Sequence, residues 1–132
     1  MSKRNPILIK LALAALLSFL LWKAGQAKTI RVKKGTAVSS IKAALGLARN
    51  GDSILVSRDR YAEQNIEITK AVSLIGEGMP TLDGEGKYEI ITVRSPYVLV
   101  DGFEFRGSGR SSYMDIAAIK LVGVHDVIVK NN

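Results

Sequence analysis

The sequence predicts an all-β fold: a parallel β-helix, or solenoid, of about four coils closed at its N-terminal end by one α-helix. Three observations carry this reading. Short alternating strands recur along residues 66–131 with a period in the twenties, each repeat ends on glycine or asparagine at the same place, and one amphipathic segment precedes them all. A strand of three or four residues cannot bury a core alone, so strands this short at this period stack on copies of themselves.

The solenoid does not start at residue 1. MSKR forms a positive n-region, Leu11 to Trp22 an apolar run of 12 residues, and GQA ending at Ala27 places small residues before a cleavage point. This is the three-part layout of a secretory signal over residues 1–27, which absorbs the sole tryptophan, Trp22. The run is shorter than the ~20 residues that span a bilayer, and Lys10 and Lys23 bracket it. An uncleaved signal anchor is the alternative. Lys3-Arg4 is not a twin-arginine pair, which favours export of the unfolded chain. The expected location is periplasmic or secreted.

Four of the 19 basic residues (Lys3, Arg4, Lys10 and Lys23) and none of the 12 acidic ones lie in that segment, so the remainder is +3 with 15 basic residues. Its longest basic run is Lys33-Lys34, and aromatics do not interleave with basic residues, so nothing points to nucleic acid. Without cysteine there is no disulfide, thiolate metal site or lipid-bearing cysteine.

TIRV (29–32) is the first strand. In SSIKAALGLARNGD, Ser39 or Ser40 caps a helix whose Ile41, Ala44, Leu45 and Ala48 share one face. Gly46 costs that helix about 1 kcal/mol relative to Ala. Asn50-Gly51 supplies its left-handed stop, with Asp52 bonding backbone amides in the turn. Strands follow at 53–56, 66–68, 72–75, 90–93, 98–100, 103–105, 118–121 and 127–129. Tyr61 is expected to cover the edge between helix and first coil with its hydroxyl at the surface.

IEITKAVSLIG, ITVRSPYVLVDG and IKLVGVHDVIVKN align as strand, polar turn, strand. Their second strands begin at Val72, Val98 and Val127, spacings of 26 and 29 residues, and they end on Gly76, Gly102 and Asn131. Glycine and asparagine tolerate a left-handed backbone at a sharp corner. The larger spacing contains RGSGRSSYMD, a loop inserted into one coil. Leu74, Leu99 and Ile128 are expected to share a stacked position. A β-sandwich also has a strand every 8–12 residues, but it needs no aligned repeats.

The stretch from Ile41 to Gly86 resembles the opening of right-handed parallel β-helix proteins of the pectin-lyase-like type. The resemblance rests on Ala48, Gly51-Asp52, Ile54, Val56 and Tyr61, then Ile68, Lys70, Val72, Leu74 and Gly76. The continuation PTLDGEG, VLVDGFEFRGSG and IKLVGVHDVIVKNN is more narrowly similar to the periplasmic NosD family, β-helix proteins that assist copper-site maturation of nitrous oxide reductase. The resemblance implies an exported, non-enzymatic accessory protein whose partners belong to a periplasmic metallation pathway. It implies copper through the family, not through ligands visible in this chain. Family members carry more coils, and VKNN follows a strand with no recognisable cap, so residues 28–132 are expected to be the N-terminal part of a longer β-helix. A carbohydrate-active or glycan-binding protein is the alternative function, and a truncated fragment without activity of its own is the second.

Few residues invite chemistry. Asp101, Glu104 and Arg106 lie close together on one coil, and Asp83, Glu85 and Lys87 on the preceding one. A carboxylate pair facing a groove can act as acid and base on a glycan, but charged residues are also what an exposed strand face carries. For copper the chain offers His125, Met79 and Met114 without His-x-His or Met-x-x-Met spacing. His125 is expected to bond Asp126 in a turn. No catalytic, cofactor-binding or metal residue is assigned.

Overall fold

Backbone amides of very short strands can be satisfied only sideways, by strands of the neighbouring coil. The computed structural model, which describes residues 6, 10–15, 25–114 and 116–132, arranges the chain in that way as a parallel β-solenoid of about four turns. Eleven strands run in chain order: β1 Thr29–Val32, β2 Ser53–Val56, β3 Arg60–Tyr61, β4 Ile66–Ile68, β5 Ser73–Gly76, β6 Thr81–Asp83, β7 Ile91–Val93, β8 Leu99–Asp101, β9 Glu104–Arg106, β10 Ile119–Leu121 and β11 Ile128–Lys130. They form three sheets, ordered β1-β2-β5-β8-β11, β4-β7-β10 and β3-β6-β9. Every strand pairing among the described residues is parallel, which excludes the antiparallel sandwich. Among these residues no helix is long and apolar enough to cross a membrane. The n-region, most of the apolar run and Trp22 lie outside the described residues.

The core is built from columns. Ile54, Leu74 and Val100 share one register position, Ile66 and Ile91 a second, and Ile68 and Val93 a third, all fully buried. Tyr61 and Leu82 continue inward in the third sheet, where Phe105 follows. Phe103 is fully buried beside Phe105, their ring centroids 6.2 Å apart.

Helix α1, Ile41–Leu47, lays Ile41, Ala44 and Leu45 on the core as the apolar spacing predicts. Its dipole is closed from the first coil at both ends. At the N-terminus Ser40 accepts from Ala43 N at 3.1 Å, while the Glu63 carboxylate accepts from Ile41 N at 2.9 Å and Lys42 N at 3.1 Å. At the other end Lys70 Nζ donates to Leu45 O at 2.9 Å and Ala48 O at 2.7 Å. The stop differs from expectation. Ala48 caps the helix in an extended conformation, φ −72° and ψ 151°, and left-handed Gly51 instead makes the corner into β2, its N–H on Ala71 O at 2.7 Å. The lysine clamp on the carbonyls replaces the glycine cap.

The repeat alignment holds in the ladder: Leu99 pairs with Ser73 and with Ile128, so the residues before them, Val72, Val98 and Val127, share one position. Six strands nevertheless begin one residue later than the sequence reading. Val72, Ile90, Val98 and Phe103 are buried corner residues that point inward before the pairing starts. Leu74 does not stack with Leu99 and Ile128. It pairs with Val100, one residue on, while Leu99 and Ile128 continue the outward column of Ser53 and Ser73. A one-residue offset reverses the face.

Gly76, Gly102 and Asn131 do share one column, but for two different reasons. Gly102 and Asn131 are left-handed at φ 84° and 54°, and Gly76 is not. At Gly76 a Cβ would collide with the Gly102 carbonyl oxygen and stand 2.7 Å from Pro80 Cδ, so close approach excludes a side chain. Of RGSGRSSYMD, Arg106 ends β9 and residues 107–114 fall in the link to β10, with Tyr113 and Met114 exposed, while Asp115 lies outside the described residues.

Candidate functional site

Two outward surfaces are candidates for a functional site. The first is the face of the β3-β6-β9 sheet. Alternation turns Tyr61, Leu82 and Phe105 inward and leaves Arg60, Thr81, Asp83, Glu104 and Arg106 outside. Arg60 donates to Asp83 Oδ2 through Nε at 3.1 Å and its terminal nitrogen at 2.9 Å, while Asp83 Oδ1 accepts from Glu85 N at 2.8 Å. Glu104 takes Arg106 at 2.6 Å on one oxygen and Thr81 Oγ1 at 2.8 Å on the other. The Glu85 amide and the Arg60 guanidinium hold Asp83 below the usual carboxylate range, and the Arg106 guanidinium and Thr81 hydroxyl do the same for Glu104. Neither carboxyl is set to donate a proton near neutral pH. Asp101 turns instead to the last coil, accepting from Asn131 Nδ2 at 2.9 Å. Lys87 Nζ lies 4.0 Å from Glu85 Oε2.

The second surface is an open groove of about 550 Å³ on the five-stranded sheet, lined by Ser73, Tyr97, Leu99, Asp126 and Ile128 among others. Tyr97 and Asp126 are both left-handed, at φ 57° and 52°. An aromatic residue there is strained, a feature concentrated at ligand clamps. The Tyr97 ring is two-thirds exposed at 66% and meets His125 edge-on, centroids 5.7 Å apart. His125 Nδ1 lies 2.8 Å from Asp126 Oδ2, the expected turn contact. Sequence reading passed over Tyr97, whose only signal is its place after Pro96 in SPYV.

The copper candidates do not meet. His125 precedes β11, Met79 lies between β5 and β6, and Met114 in the β9–β10 link. Among the described residues no three His, Asp or Glu side chains gather as metal ligands. These positions do not fit a copper ligand set.

Asp52 holds the turn as expected, and more. It is 3% exposed, accepting from Lys28 N at 2.9 Å and Arg49 N at 2.8 Å. Those two amides, Lys28 first, lower its pKa. Tyr61 departs from expectation: it is buried at 2% exposure with its hydroxyl donating to Ser57 O at 2.8 Å, because β3 turns it into the core. Lys34 Nζ stands 5.6 Å from its ring centroid.

Comparison with family profiles, curated proteins and solved structures returned no match for this chain.

Proposed function

We propose that this chain is an exported, non-enzymatic accessory protein of the NosD type, serving copper-site maturation of a periplasmic enzyme such as nitrous oxide reductase. Its task is to present a rigid ladder surface to protein partners. One observation carries the reading: the outward carboxylates Asp83 and Glu104 are held ionised by arginine, amide and hydroxyl partners. A row of charges fixed in this way suits electrostatic docking and keeps these two carboxyls from serving as the proton donor of glycan cleavage. The sequence resemblance supplies the pathway and the part that partners play in handling copper.

The groove at Tyr97 favours a second reading, a glycan-binding solenoid. An exposed aromatic face beside a carboxylate is what a sugar ring can stack on and bond to. Deleting the gene in its own host and measuring copper bound to the periplasmic enzyme separates the readings. The accessory role expects copper-deficient enzyme restored by the gene in trans. Fully loaded enzyme, together with retention of the purified protein on polygalacturonate, would replace it with the glycan reading.

A further inference from the structure

The edge of the ordered solenoid and the sequence-predicted cleavage point coincide at Lys28. Gly25 to Lys28 are exposed and outside helix or strand, and β1 starts at Thr29. Lys28 itself is held on both sides: its N–H donates to Asp52 Oδ1 at 2.9 Å and its carbonyl accepts from Ser53 N at 2.9 Å. Beside that contact an open recess is walled by Gly25, Gln26 and Ala27 on one side and Arg49, Asn50 and Asp52 on the other. Asp52 is a 97% buried carboxylate that accepts backbone amides from Lys28 and Arg49, and among the described residues no buried cation stands against its negative charge.

We propose that cleavage of the Ala27–Lys28 bond makes the new α-ammonium of Lys28 the counter-ion of Asp52, locking the N-terminal coil after export. This rests on the export reading. A signal-cleaving protease adds water across the amide: Ala27 leaves as a carboxylate on the signal segment, and the Lys28 nitrogen takes up a proton. One neutral N–H on Oδ1 becomes a charged group with three donors at the same point. Charge-assisted hydrogen bonds of this kind are roughly twice as strong as neutral ones. Loss of the Gly25–Ala27 wall opens the recess for the added proton's hydration. Among the described residues, the other charges acting on Asp52 are the side chains of Lys28 and Arg49. Lys70, at the end of the first coil, is engaged with the helix-end carbonyls of Leu45 and Ala48. Processing thereby becomes a folding signal: the exported chain holds a charged clamp where the precursor has a neutral one.

The sign of the pH dependence follows. An α-amino group titrates at about 7.7–8.0 when free, and a carboxylate partner raises it in the folded state. The added stability is complete below that free value and disappears as pH rises through the folded one. The test uses the full chain expressed with its own signal, an Ala27→Arg variant that blocks cleavage, and Asp52→Asn, all melted in the same detergent buffer between pH 6 and pH 10. Intact mass should place the exported N-terminus at Lys28. The processed protein should melt roughly 4–8 °C above the uncleaved variant at pH 7, the shift of a domain this size for one such interaction. That gap should close toward pH 10 and be absent in processed Asp52→Asn. If Asp52→Asn does not accumulate, the pH profile of α-amine acylation in the processed wild type decides, with a midpoint above 8 expected. A Lys28 N-terminus with no gap, or an α-amine of ordinary midpoint, overturns the inference and leaves export standing. An exported product that starts elsewhere overturns the cleavage site and the inference with it.

Discussion

The first and last described coils of the solenoid are built differently. At the N-terminal end, Ile41, Ala44 and Leu45 of α1 cover the first coil, Glu63 and Lys70 close the helix dipole, and Asp52 fixes the entry to β1 and β2. In the last described coil the same inward columns are less buried. The column of Ile54, Leu74 and Val100, all at 0%, continues into Val129 at 43%, and that of Ile68 and Val93 into Leu121 at 52%. Side chains of one type at one register position thus contribute very unequally, because burial needs a coil on each side. Some tethering survives at the last coil: Asn132 accepts from Phe103 N at 3.0 Å and donates to Val100 O at 3.1 Å.

The largest test of that contrast compares one residue type at the two places. Leu45→Ala, at a buried position of α1, should cost about 2–5 kcal/mol in urea unfolding. Leu121→Ala, in the inward column of Ile68 and Val93 but 52% exposed, should cost no more than about 1 kcal/mol. Equal losses would break the comparison.

Glycines sharpen it next. Gly76→Ala drives a methyl into the Gly102 backbone and should cost about 3 kcal/mol, the upper end of overpacking penalties. Gly123→Ala meets no atom within 4 Å and should cost about 1 kcal/mol, from its φ of 58° alone. Melting temperatures of the pair give the ratio directly.

Acid titration probes the Asp52 turn with a smaller effect. Folding depresses its pKa from the ordinary 3.8, so its contribution is present above that value and lost as pH falls through the folded one. Asp52→Asn should therefore flatten the melting profile below pH 4. Only part of the acid limb should go, because Asp59, Asp83, Glu89 and Glu104 are depressed as well. A profile unchanged by the substitution would remove Asp52 from the clamp. The smallest effect has the opposite sign. Gly46→Ala, inside α1 with open space around it, should stabilise by about 1 kcal/mol.

How much was legible in the sequence depended on how local the cause was. Helix α1 followed from Ile41, Ala44, Leu45 and Ala48, whose spacing needs no partner to be recognised. The repeat was legible through Val72, Val98 and Val127, because each coil writes the same strand and corner. Strands β3 and β6 were missed. At two and three residues they are too short to alternate visibly, and they exist as strands through pairing with each other and with β9. The charged face was legible as candidate residues, but not its pairing: Arg60 and Asp83 are 23 residues apart. Tyr97 was not legible at all, since strain and exposure at a corner leave no periodic trace.

By itself, then, the sequence determined that short strands must pile up, where the chain must turn, and which segment must be the helix. These are properties of neighbours along the chain, set by alternation, backbone freedom and capping. Only the tertiary structure decided which way Leu74 faces, why Gly76 must lack a side chain, and that Glu63, Lys70 and Asp52 hold the N-terminal end. Those depend on register and on atoms brought together from 22 to 26 residues away, and a one-residue offset in a ladder is invisible until the coils are stacked.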